Sequence, residues 1–124
     1  MTDYYLPAKS DGTDFRQDIG INYHEHVGET VQPPYPNPVG VFNDGTLRAT
    51  STPKGALWLA AIFANIYHFS DCKFYRVTGT PVATLEIGDL GYVHGFMSLY
   101  IAQEYTTAEI KSLAGMPNNS NEIW

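Results

Sequence analysis

Hydrophobic positions are sparse in the first half of the chain and dense in the second. The densest run is Gly55 to Phe69, GALWLAAIFANIYHF, which carries no acid, lysine or arginine. Four alanines (Ala56, Ala60, Ala61, Ala64) favour helix, and Thr52-Pro53 supplies an N-cap followed by proline at the first helical position. Leu57, Trp58, Ala61, Ile62 and Phe63 spread apolar groups around most of the helical circumference. That pattern predicts a helix covered on nearly all sides, at the hydrophobic centre. The competing reading is two short buried strands breaking near Asn65, since Trp58, Ile62, Phe63, Ile66, Tyr67 and Phe69 also suit a sheet. With about 15 residues against the roughly 20 needed to cross a bilayer, and a start deep inside the chain, the run predicts neither a membrane span nor a signal peptide.

After this run the pattern predicts a β-meander. Lys73 to Thr78 and Val82 to Ile87 read as strands separated by Gly79-Thr80-Pro81, and Tyr92 to Ala102 reads as one long third strand after the turn Gly88-Asp89-Leu90-Gly91. On that strand Val93, Gly95, Met97, Leu99 and Ile101 form one apolar face, while Tyr92, His94, Phe96, Ser98, Tyr100 and Ala102 form the other. Gly95 marks a bend or bulge, and the aromatic rings of the second face lie under another segment or meet another subunit. Thr106-Thr107-Ala108-Glu109 is a capping box that opens a short helix, ended by Gly115 with Pro117 beyond it.

Residues 1–54 hold six of the eight prolines and seven of the thirteen acids, and they read as an extended arm. Tyr4-Tyr5-Leu6-Pro7 is an apolar hook followed by turn chemistry, a combination that predicts fraying. Ile19 to Val27 is expected as a weak strand, Pro33 to Pro38 as a stiff polyproline spacer, and Val39 to Phe42 with Thr46 to Thr50 as a hairpin around Asn43-Asp44-Gly45. The sequence thus predicts an α+β fold: a small antiparallel meander packed on a central buried helix, with an extended N-terminal arm and a short C-terminal helix. An all-β, jelly-roll-like sandwich is the alternative. The expected divisions are an arm (1–54), a core domain (55–115) and a C-terminal tail (116–124).

Composition narrows the function classes. Seven basic against thirteen acidic residues give a net charge of −6 with no basic cluster, which argues against a nucleic-acid partner. A lone Cys72 forms no intramolecular disulfide and suits synthesis in a reducing cytoplasm, where it reads as a buried inert thiol. Nine Tyr, six Phe and two Trp exceed what one small core needs, and Tyr and Trp are enriched at interfaces.

No nucleotide-binding, hydrolase, zinc-protease or calcium-loop motif is present in the sequence. His24 and His26 would point the same way on a strand; with His68 or His94 they could make a three-histidine metal site, and with His94 they could line a pocket, although four histidines are near background for a chain of this length. We therefore expect no catalytic, cofactor or metal residues, no small-molecule substrate and no membrane partner. The expected role is that of a non-enzymatic subunit of a symmetric homo-oligomer, binding copies of itself and other subunits through Tyr4, Tyr5, Tyr35, Tyr92, Phe96, Tyr100, Ile123 and Trp124. A short, acidic, disulfide-free chain rich in Tyr, Gly and Pro fits a phage-type virion accessory protein (capsid decoration, head-fibre base, neck or tail). The alternative is a small ligand-binding or metal-dependent enzyme domain using His24, His26 and His94.

Overall fold

The structure, a computed structural model, describes residues 2–16, 19–34, 46–67 and 72–115. Seven strands, β1 (Tyr4–Lys9), β2 (Thr30–Val31), β3 (Leu47–Thr50), β4 (Cys72–Thr78), β5 (Pro81–Glu86), β6 (Tyr92–Phe96) and β7 (Leu99–Tyr105), form one sheet. Their order is β2-β7-β4-β1-β3-β6-β5, and every pairing is antiparallel. Two helices, α1 (Pro53–Tyr67) and α2 (Thr107–Leu113), accompany it.

This corrects the expected α+β arrangement of a small meander around a central helix. The sheet dominates, and its middle strand is β1, from the segment expected to be a fraying arm. β1 pairs with β4 along its whole length, from Tyr4 opposite Val77 to Lys9 opposite Cys72. Pro7 is tolerated there for a local reason. The Tyr5 carbonyl accepts from the Thr50 hydroxyl at 3.1 Å, so Tyr5 and, two residues on, Pro7 direct their backbone polar groups toward β3. The β1–β3 pairing holds only at Tyr5, so Pro7 interrupts no ladder on that side. Nor are β4 and β5 meander neighbours: β1, β3 and β6 lie between them. Nor do the described residues form a two-sheet sandwich, since all seven of their strands join one sheet.

Each face of the sheet has its own core. On one, Cys72 and Phe74 pack with Ala56, Leu57 and Ala60 of α1, Ile110 of α2, and Phe15. On the other, Tyr4, Leu6, Ala8, Val31, Leu47, Tyr75, Val77, Leu99 and Ile101 are covered by Ile19 and Tyr23. The helix therefore has one face to bury rather than a whole circumference, and Trp58 and Ile62, one turn apart, keep 37% and 36% of their surface exposed. Its start is as expected, with Thr52 Oγ1 accepting the Gly55 amide at 2.9 Å.

Two further expectations are corrected. The predicted strand over Ile19 to Val27 is a 3-10 helix at Tyr23–His26, because Asn22 caps it by accepting the Glu25 amide at 3.2 Å. The predicted long strand breaks at Met97-Ser98, between β6 and β7, which lets Phe96 and Leu99 share one core although they differ in parity. The second arm of the predicted 39–50 hairpin is β3, paired to β1 and β6; residues 39–45, like the spacer beyond Pro34 and the tail 116–124, lie outside the described residues. The capping box at Thr106 and Glu109 is present.

Candidate interaction surface

Among the described residues, titratable side chains of β4 and β7 gather where Glu104 meets Tyr75, His24 and Lys73. Tyr75 Oη donates to its Oε2 at 2.8 Å and His24 Nδ1 lies 2.6 Å from the same oxygen, while Lys73 Nζ is 3.4 Å from Oε1. An ionised carboxylate only accepts, so the His24 proton belongs on Nδ1. Partial burial would push the Glu104 carboxyl up, but the hydrogen bonds from His24, Tyr75 and Lys73 outweigh it and hold the group below the usual carboxylate range. Burial, then the Glu104 hydrogen bond and charge, raise the Tyr75 phenol well above its ordinary value, so it stays a donor. Gly12 completes the cluster: a Cβ there would come within 2.5 Å of His24 Cβ and 2.7 Å of the Tyr75 hydroxyl. Chemically this is a staple, clamping the 3-10 helix onto the sheet through acceptors already occupied by the chain's own donors.

A second polar group lies deeper. Asp14 Oδ2 accepts from the fully buried Tyr23 hydroxyl at 2.6 Å, Asp14 Oδ1 accepts the Arg16 amide at 2.8 Å, and the Arg16 guanidinium donates to the Thr46 carbonyl at 2.6 Å. Burial, then the charge and hydrogen bond of Asp14, push the Tyr23 phenol well up. These contacts pin the loop after β1 to the residue before β3.

Among the described residues, the other end of the sheet is open. β5 is its last strand, and Thr84, Leu85 and Glu86 face solvent, Leu85 with 55% of its surface exposed. Behind it on β6, His94 Nδ1 sits 2.9 Å from Thr84 Oγ1 and its ring stands edge-on to Tyr4 at 5.1 Å between centroids. Burial moves the His94 imidazole below its ordinary pKa, partly offset by a hydrogen bond to the Ala83 backbone. Tyr92, paired with Glu86, is exposed beside it. No family model, curated protein or solved structure matches the chain.

The sequence-predicted residues separate by environment. Tyr92 and Tyr100 are exposed and Tyr5 is half-buried. Tyr4 and Phe96 are inside the chain's own core, their rings edge to face at 5.0 Å, because Phe96 pairs with the buried Leu47 of β3 on the face that Tyr4 lines. Tyr35, Ile123 and Trp124 lie outside the described residues. The structure does not bring His24, His26 and His94 together: His24 meets Glu104, His26 lies 3.3 Å from Glu29, and His94 meets Thr84 across the sheet. Beside His26 runs an open groove of about 420 Å³ lined by Asn22, Glu25, Glu29 and Thr30. Among the described residues no three His, Cys, Asp or Glu side chains are grouped to hold a metal, and no helix is long and apolar enough to cross a membrane.

What sequence reasoning missed is the edge itself. Val82 to Ile87 was legible as a strand, but its place at the end of the sheet follows from pairings of β1 and β3 that no local pattern encodes.

Proposed function

We propose that this chain is a non-enzymatic structural subunit that works by binding copies of itself, and within that class a phage-type virion accessory component. The observation that carries the reading is the open β5 edge flanked by exposed Leu85 and Tyr92. A strand edge lined with apolar side chains is a template for another chain. Exposed Trp58, Ile62 and Leu113 on the helices add further apolar surface of the kind that subunit contacts cover. The main clusters of titratable groups, around Glu104 and Asp14, are occupied in holding the fold, which supports binding rather than chemistry. The virion assignment rests on the character of the chain: short, acidic and rich in Tyr, Gly and Pro. Sedimentation velocity of the full chain over a wide concentration range tests the reading. A defined oligomer is expected, and a monomer at every concentration would refute it.

A further inference from the structure

The two ends of the sheet are unequal. β2 is two residues long and runs into Pro33-Pro34, which donate no backbone hydrogen bond, so this edge is blunted. β5 is six residues long, and among the described residues no strand pairs with its outer side. At its start Pro81 and a register shift between Pro81 and Ala83 disturb the ladder, and at its other end stands one exposed charge, Glu86. From Val82 to Glu86 it has no lysine, proline or glycine.

Resting on the assembly reading above, we propose that the occupant of this edge is β5 of a second copy, paired antiparallel about a two-fold axis through Thr84. One open and one blunted edge favour a closed, isologous contact over an endless chain of β5-to-β2 contacts. Antiparallel pairing by a two-fold axis needs the axis perpendicular to the sheet, so each face meets its own kind and a residue on the axis pairs with itself. Centring on Thr84 uses Val82 to Glu86 and leaves Pro81 outside. It places Leu85 over Ala83 of the other copy, and Glu86 opposite Val82, so the two acidic side chains sit at opposite ends of the ladder. The neighbouring sheet pairings then align a row of His94, Thr84, Thr84 of the second copy and its His94 across the axis. The result is a continuous sheet running through both copies.

The test uses the full chain. In an antiparallel ladder, residues directly opposite have Cα atoms about 4.5–5.5 Å apart, within disulfide range. Thr84→Cys should therefore give a covalent dimer on mild oxidation, while Val82→Cys and Glu86→Cys should not; Cys72 is buried and serves as the unreacted background. Thr84→Lys places like charges on the axis. It should weaken dimerisation on the order of tenfold at low salt and recover near 1 M salt, whereas Thr84→Ser, which keeps the hydroxyl that meets His94, should leave dimerisation unchanged. Oligomers that persist in Thr84→Lys at low salt, with no Thr84→Cys cross-link, overturn the β5 contact and leave the assembly reading standing. A mass that grows without limit and no cross-link points to β5-to-β2 pairing and overturns it too. A wild-type monomer at all concentrations, as when another segment of the same chain covers β5, overturns both.

Discussion

The Tyr75 hydroxyl donates to the Glu104 carboxylate at 2.8 Å, joining the fully buried middle of β4 to the half-exposed end of β7. This contact fixes the state of both groups, since the carboxylate is held ionised and the phenol is held protonated. Tyr75→Phe is expected to lower stability by about 1.5–3 kcal/mol, the range for losing a hydrogen bond to a charged group. The Glu104 carboxyl is lower in the folded state than in the unfolded chain, so its contribution is present above the unfolded value and is lost as pH falls through the folded one. Thermal melts of wild type and Glu104→Gln below about pH 4.5 should converge if this holds. A constant gap between them through that range would contradict it.

His94 acts in a different window. Its folded-state pKa is lowered by burial, so the neutral ring is favoured and its contribution is full above the unfolded value near 6.5. That contribution falls as pH drops from about 6.5 toward the folded value, because the unfolded chain takes the proton first. His94→Gln should flatten the fall in melting temperature as pH drops below about 6.5. A wild-type curve already flat in this range would show that His94 is not the group concerned.

Leu6 tests the place of β1. Only 1% of its surface is exposed, and it packs with Tyr75, Val77 and Ile101 in the core opposite the helices. Leu6→Ala should lower stability by roughly 2–5 kcal/mol, as large-to-small changes in a packed core do. If residues 4–9 were a loose arm, the change would stay within about 0.5 kcal/mol. Denaturant titration separates the two outcomes.

What was legible in the sequence is what neighbouring residues encode. The start of α1 follows from Thr52 and Pro53, and the α2 capping box from Thr106 and Glu109, since each cap is made within one turn. β1 was illegible because YYLPAK is short, contains proline and precedes turn residues. Its strand state depends on β4, more than 60 residues away. The same holds at the candidate surface. Alternation along 92–102 placed Tyr92 and Tyr100 outward, and both are exposed. It failed for Phe96, since the break at Met97-Ser98 has no signal in a pattern of period two. His24 and His26 lost their shared face once Asn22 capped a 3-10 helix in place of a strand.

The most direct test of the account is amide hydrogen exchange of Val82 to Glu86, measured on the full chain from dilute to concentrated solution. β5 should exchange fast when dilute and slow by about tenfold or more as the oligomer forms, because its outer N–H groups then enter a ladder, while the amides that β1 shares with β4 stay slow throughout. Exchange in β5 that does not change while the mass of the particle rises would contradict the account.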